Sequence, residues 1–261
     1  MPASAVLRSS ALALLVGFSA AALAQATKEA PSSTYEPMVG QEGKDVVWVP
    51  TPQSLVDKML DMAKLTPKDT LMDLGSGDGR TVITAAKRGA HATGIEYNPD
   101  MVALSKENAK KAGVADRAQF MKADLFQTDL SKATVITMFL LPDINLKLRP
   151  KILALKPGTR VVSNTFTMGD WKPDQTGSPD NCDSSWCTAL LWIVPARVGG
   201  TYKTPQGEIS LRQHFQMLSG TLRADGRTVP IEGKMTGTEI GFKAGGKEYH
   251  GHMKGKTLEL K

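Results

Sequence analysis

Metal-ligating residues are scarce in this chain of 261 residues, which has two cysteines and four histidines. Cys182 and Cys187 share one polar loop, and two thiolates need further ligands to build a zinc site. His91, His214, His250 and His252 supply no such spacing, so no metal site is expected. Aromatic residues are only 6%, and no Lys/Arg cluster is interleaved with them. The formal net charge of +6 therefore reads as a solubility feature rather than as the mark of a nucleic-acid partner. Beyond the N-terminal region no apolar run approaches the roughly 20 residues a membrane helix needs. What remains, 41% hydrophobic and 22% charged residues, suits a soluble globular protein of one large or two small domains.

The N-terminus reads as a targeting segment. Arg8 is followed by Ala11–Ala24, apolar or small except for Ser19 and ending Ala22-Leu23-Ala24. Small residues at that spacing suit a signal peptidase, so residues 1–24 are expected to be a signal peptide cut after Ala24, with Ala26 as the alternative. The expected location is the periplasm; an uncleaved segment would instead anchor the chain in a membrane. Removing Arg8 with the signal lowers the formal charge from +6 to +5. In an exported protein Cys182 and Cys187 are expected to pair, for about 2 kcal/mol given so short a loop. Residues 25–45 read as a flexible linker.

From residue 46 to 198 short apolar runs alternate with helical patterns. Thr51-Pro52 looks like a helix start, with the threonine as cap and the proline at the first helical position. Strands are expected at 70–74, 91–96, 118–123, 133–140 and 159–166, with helices at 80–88, 99–112 and 144–153, the last shortened or bent by Pro150. This alternation implies a mostly parallel sheet with helices on both faces, a Rossmann-like α/β fold. From 199 to 261 glycine is over-represented and helical periodicity is lost. Runs at 189–194, 209–217, 228–231, 239–242 and 248–253 predict strands, and Asp225-Gly226 predicts a hairpin turn. The C-terminal region is expected to be an antiparallel β meander or partial barrel.

The strongest chemical signal is Asp73-Leu74-Gly75-Ser76-Gly77-Asp78-Gly79-Arg80. A strand runs directly into alternating glycines and then a helix, the arrangement that lets backbone approach a ligand at a strand's carboxyl end. Asp73 and Asp78 would repel a pyrophosphate and attract a cationic amino group or sulfonium. Glu96, 23 residues after Asp73 at the end of the second strand, can accept two ribose hydroxyls. Asp124, placed at the end of the third strand, can accept an adenine amino group, with Leu125 and Phe126 against the ring.

Together these residues resemble the class I S-adenosylmethionine-dependent methyltransferases. The glycine-rich segment Asp73–Gly79 is similar to that family's first motif, Glu96 to its ribose acid and Asp124 to its adenine-side acid. The form Asp-Leu-Gly-Ser-Gly-Asp-Gly-Arg, with Val49-Pro50-Thr51-Pro52 upstream, looks most like small protein-lysine methyltransferases, and the resemblance covers roughly residues 46–170. It implies an S-adenosyl-L-methionine site at Thr51, Asp73, Gly75, Ser76, Gly77, Asp78, Glu96, Asp124 and Leu125, with Thr51 closing over the cofactor's amino-acid end. It also implies an acceptor pocket near Phe139, Leu141 and Pro142. The segment Thr137–Asn145 lacks the Asn/Asp-Pro-Pro-Tyr/Phe sequence of enzymes that methylate amino groups of nucleic acids. The acceptor is therefore expected to be a protein, for instance at a lysine, or a small molecule. No general base is evident; Asp143 is the nearest carboxylate. On this reading Glu96→Ala weakens cofactor binding without changing the stability of the free protein, and Asp73→Ala costs both. The alternatives are an envelope protein that binds a partner through its β-rich end, and a nicotinamide-dependent oxidoreductase.

Overall fold

The computed structural model describes Met1 and residues 35–261. The expected signal peptide, its cleavage site and the first part of the linker lie outside the described residues.

Helix α1 (Gln53–Met62) buries Leu55, Val56, Met59 and Leu60 on one face. Pro52, not Thr51, stands in its cap position, and no side chain caps it. The Thr51 hydroxyl is committed elsewhere, accepting a hydrogen bond from Asn164 Nδ2 at 3.4 Å. The first sheet is then built from β1 (Thr70–Leu74), β2 (His91–Glu96), β3 (Ala118–Lys122), β4 (Val135–Met138), β5 (Arg160–Asn164), β6 (Gln175–Gly177) and β7 (Ala189–Ile193). Helices α2 (Arg80–Lys87), α3 (Pro99–Lys111) and α4 (Pro142–Leu153) fall between its parallel strands.

The strand order is β3-β2-β1-β4-β5-β7-β6. The first five strands run parallel, and β7 is antiparallel to both β5 and β6. Both faces are covered: Leu71 of β1 packs with α1 and α2, whereas Leu74 packs with Ile144, Leu148 and Ile152 of α4. A strand buried on both faces must be apolar nearly throughout, which isolates Asp73 as the exception in β1. Helix α4 starts at Pro142, two residues earlier than expected, and runs through Pro150 to Leu153. A proline in the first turn removes an N–H that has no helical partner in any case.

The second sheet is a meander. Strands β8 (Gly200–Thr204), β9 (Gly207–His214), β10 (Met217–Ala224), β11 (Arg227–Thr236), β12 (Glu239–Ala244), β13 (Lys247–Lys254) and β14 (Thr257–Leu260) pair in sequence order, each antiparallel to the next. Their inward residues, among them Ile209, Leu222, Ile231, Met235 and Phe242, form a separate core. The single strand expected at 209–217 is two strands with a turn at Phe215-Gln216. Phe215 has φ 53°, and the buried Gln216 donates its amide to the Lys172 carbonyl at 2.8 Å. The Asp225-Gly226 turn joins β10 to β11 with φ 50° and 74°, the paired left-handed conformation of a two-residue hairpin.

The two sheets are joined by specific contacts. Ala196 donates its N–H to Gly237 O at 2.7 Å, Lys234 pairs with Asp174 at 2.7 Å, and Phe215 stacks on Trp171 at 5.9 Å. Among the described residues no helix is long and apolar enough to cross a membrane.

Candidate active site

Strand order reverses between β1 and β4, and in an open parallel sheet the loops beyond such a switch point leave a crevice. Here the loops after β1, β2, β3 and β4 converge on a cleft of about 1040 Å³, counting its open mouth. It gathers Thr51, Asp73, Gly75, Ser76, Gly77, Asp78, Glu96, Asp124, Leu125 and Phe139. Leu141 and Pro142 do not line it. Both are exposed, because the chain turns outward after Leu140 to begin α4. Asp143 is exposed in the first turn of that helix and also stays out of the cleft.

Asp73 is 6% exposed and accepts a 2.6 Å hydrogen bond from Thr137 Oγ1 of β4. Burial is the main cause pushing its carboxyl up to about 7; the Thr137 hydroxyl opposes the shift, and the charges of Asp78 and Glu96 add to it. A carboxylate held at such cost has its natural partner in a cation placed beside it. Glu96 is tied into the backbone. Its Oε2 accepts from Gly77 N at 2.9 Å, and its Oε1 from Tyr97 N and Asn98 N at 2.8 and 2.9 Å. The expectation that Glu96 carries no structural load is therefore corrected: it clamps the glycine loop to the end of β2. With two donors already on Oε1 and one on Oε2, the lone-pair site left for a ligand hydroxyl is on Oε2.

Asp78 forms a two-pronged pair with Arg80, whose guanidinium donates to its oxygens at 2.6–3.1 Å. The same guanidinium donates to Thr51 O at 3.0 Å. Its charge is thus matched locally, so Asp78 alone does not exclude a phosphate. Asp124 lies two residues beyond β3, not at its end. There it caps a turn, accepting from Phe126 N at 2.8 Å, and faces Lys44 Nζ at 3.4 Å.

Residues 41–51 roof the cleft; of these the sequence marks Thr51 as a site residue. Gly40 N donates to Trp48 O and Trp48 N to Gln41 O, at 2.8 and 2.9 Å, closing a short loop. The Trp48 indole lies so close to Gly77 (φ 52°) that a Cβ there would collide with it. Lys44 at the tip sits 5.4 Å from the Tyr97 ring centre and 5.7 Å from that of Phe126. The only other trace of this roof in the sequence is the apolar run Val46–Val49 ahead of Pro50.

Cys182 and Cys187 are joined as a disulfide, their Cα atoms 6.1 Å apart. Among the described residues no group of three or more potential ligands could hold a metal ion.

A doubly covered parallel sheet with an acidic, glycine-floored crevice at its switch point defines a Rossmann-like cofactor-binding enzyme. The family model of the ANTKMT methyltransferase domain matches residues 73–175. The chain is 46% identical over 152 residues to a protein-lysine N-methyltransferase of Saccharolobus islandicus (strain REY15A), covering 57% of this chain and 94% of the relative. It is 35% identical over 120 residues to the adenine nucleotide translocase lysine N-methyltransferase of Mus musculus, covering 45% of this chain and 52% of that protein. It therefore spans about half of the mouse protein's length. A solved structure, the RNA methyltransferase from Salinibacter ruber in complex with S-adenosyl-L-homocysteine, is 49% identical with a TM-score of 0.53, covering 57% of this chain and 96% of the other. The chain belongs to the class I S-adenosylmethionine-dependent methyltransferases and is lysine-methyltransferase-like.

The site fits S-adenosyl-L-methionine. Its ammonium and sulfonium suit the acidic lining; the buried Ser76 Oγ has no hydrogen-bond partner among the described residues. Ile95, Met101 and Leu125 supply apolar wall. The enzyme is thus an S-adenosylmethionine-dependent methyltransferase; the oxidoreductase and binding-protein alternatives are not favoured.

Proposed function

We propose that this enzyme methylates the side-chain amine of a lysine in a protein partner. The observation that carries the reading is the 46% identity to a protein-lysine N-methyltransferase over 94% of that relative. Bound S-adenosyl-L-methionine supplies an already activated methyl group on its sulfonium. The protein's task is to orient and to exclude water. Glu96 holds the ribose hydroxyls while keeping Gly77 in place. Asp73 answers the charge of the amino-acid end, over which Thr51 and its Arg80 contact close. Asp124 and Leu125 meet the adenine, and Gly75, Ser76, Gly77 and Asp78 form the floor. Phe139 faces the reacting end from β4. Asp73, Asp78, Glu96 and Asp124 are each tied by hydrogen bonds within the protein, and the lysine's proton leaves to solvent through the open mouth.

The name of the Salinibacter ruber structure favours a second reading, an RNA acceptor. Against it stands the segment Thr137–Asn145, which lacks the Asn/Asp-Pro-Pro-Tyr/Phe sequence. Radiolabelled cofactor incubated with protein and RNA fractions, followed by amino-acid analysis, separates the two. Label recovered as methyl-lysine supports the reading; label confined to RNA or to another amino acid sinks it. We also propose that the protein is exported with residues 1–24 removed, a reading supported by the apolar stretch Ala11–Ala24 and the Cys182–Cys187 bond. Intact mass of native protein that begins at Met1 would refute it.

A further inference from the structure

Beside the cofactor cleft, three aromatic rings from distant parts of the chain form a continuous strip. Phe139, which lines the cleft, stacks on Phe166 at 5.8 Å and meets Trp186 at 6.0 Å. Phe139 and Phe166 are half-buried, and Trp186 is 38% exposed. The strip leads from the cleft to solvent.

Two linked devices hold it. Between β5 and Phe166, Thr165 adopts φ 58°, an outlier for a β-branched residue and a strain that persists only where surrounding contacts enforce it. The enforcing contacts are present. Thr165 N donates to Thr188 O at 2.7 Å, and Phe166 N to Asn164 O at 2.6 Å. The Phe166 carbonyl accepts from Ser163 Oγ at 2.7 Å and Asn145 Nδ2 at 3.2 Å. The second device is the disulfide. Trp186 stands one residue inside the Cys182–Cys187 bridge and Thr188 one residue beyond it, so the same short loop presents the indole and buttresses the strained turn. That loop, residues 177–188, carries Asp180 and Asp183 and no basic residue, in a chain whose net charge is +6.

We propose that Phe139, Phe166 and Trp186 form the acceptor channel, and that Trp186, fixed by the disulfide, is its specificity-determining wall for a cationic alkylamine, the lysine side chain of a partner protein. Aromatic faces attract an ammonium while their flat surfaces pack against its methylene stem. The acidic loop favours a basic peptide around that lysine and disfavours a polyanion. The inference rests on the lysine reading above, and binding and transfer are therefore measured separately.

The test uses the full chain saturated with S-adenosyl-L-homocysteine. It is titrated calorimetrically with a blocked pentapeptide bearing one central lysine, and with the same peptide bearing norleucine. The lysine peptide should bind about tenfold more tightly than the norleucine peptide. Trp186→Ala should weaken lysine-peptide binding about tenfold, and Trp186→Phe should restore most of it. S-adenosyl-L-homocysteine affinity should stay unchanged in both variants. The double variant Cys182→Ser/Cys187→Ser should weaken peptide binding in the same sense as Trp186→Ala. Equal binding of the two peptides, parental affinity in Trp186→Ala, or no peptide binding by the parent protein each overturns the channel. If Trp186→Ala methylates protein lysines at the parental rate, the channel fails while the lysine reading stands. Label that never reaches lysine in the parent defeats the reading itself.

Discussion

Both sheets have seven strands, yet only one makes a site. In the second sheet every strand pairs with its sequence neighbour, and each turn closes only its own hairpin. In the first, the chain crosses the sheet between strands, and loops separated by dozens of residues arrive at one edge. Asp73, Glu96, Asp124 and Phe139 meet there because β1 and β4 lie side by side at the reversal of strand order. The cost is visible at the same edge: a carboxylate 6% exposed, a buried hydroxyl without a partner among the described residues and glycines kept bare of Cβ. The meander has its own core and turn chemistry but no comparable convergence. Chemistry in this molecule follows non-local topology, and variants of the two regions should behave in opposite ways.

The largest effect is expected at Asp73. Replacing it with asparagine keeps an oxygen that accepts from Thr137 but removes the charge that answers the cofactor's cation. Losing one partner of a buried charge pair costs roughly 2–5 kcal/mol, so cofactor affinity should fall at least about 30-fold. Stability should move the other way. With its carboxyl near 7, folded Asp73 holds a proton that the unfolded chain releases above about 3.9. Its contribution to stability is therefore lost as pH rises from about 4 to about 7. Asp73→Asn should be more stable than the parent above pH 7, by at most about 4 kcal/mol, and the gain should shrink to nothing near pH 4. Cofactor affinity of the parent should weaken about tenfold per unit as pH falls below about 7, since only the ionised carboxyl attracts the cation. Melts and titrations across that range check both; a variant less stable than the parent at pH 8 would refute the burial argument.

Glu96→Ala comes next. Loss of a charged acceptor is worth about 1.5–3 kcal/mol, or roughly 10- to 150-fold in affinity. Because Glu96 also accepts three backbone N–H groups, the free protein should melt several degrees lower, where the sequence alone implies no change. Trp48→Ala should weaken cofactor binding less, by about tenfold, through loss of apolar cover, with little effect on melting. An unchanged affinity in Trp48→Ala would show that the roof does not touch the cofactor.

The cofactor-binding half is legible in the sequence because its signals are local even though its site is not. The strand-glycine-helix segment at 70–87, the acid ending β2 and the alternation of apolar runs all mark single elements. The features that sequence does not reveal depend on partners far away along the chain. Arg80, beside Asp78 in the motif, also reaches the Thr51 carbonyl, 29 residues upstream. Asn164, 113 residues away, donates to the Thr51 hydroxyl, and Pro52 takes the helix cap position instead. Leu141 and Pro142 look like pocket wall in the sequence, but the outward turn into α4 carries them away. In the meander the Asp225-Gly226 turn is readable, whereas β8, β10 and β14 are not expected as separate strands. β8 carries only Tyr202 as a large apolar residue, β14 is only four residues long, and β10 interrupts its apolar positions with Ser219, Gly220 and Thr221.

The smallest effect on function, and the sharpest check on the contrast, is expected at Gly226. It occupies the second position of the β10–β11 turn with φ 74°, and a Cβ there would meet nothing within 4 Å. Gly226→Val therefore changes only the backbone's preference, and a left-handed conformation costs a side-chain-bearing residue roughly 1–2 kcal/mol. The Ala196–Gly237, Lys234–Asp174 and Trp171–Phe215 contacts tie the meander to the first sheet, so the two should melt in one transition. That transition should drop by about 2–8 °C, while S-adenosyl-L-homocysteine affinity stays within about twofold of the parent. Calorimetry of both proteins, with and without that ligand, reads all three quantities. Two separated transitions, with the ligand raising only the upper one, would show that the joint does not couple the sheets. A fall in ligand affinity matching that of Glu96→Ala would show that the meander, contrary to its purely local pairing, helps to shape the cleft.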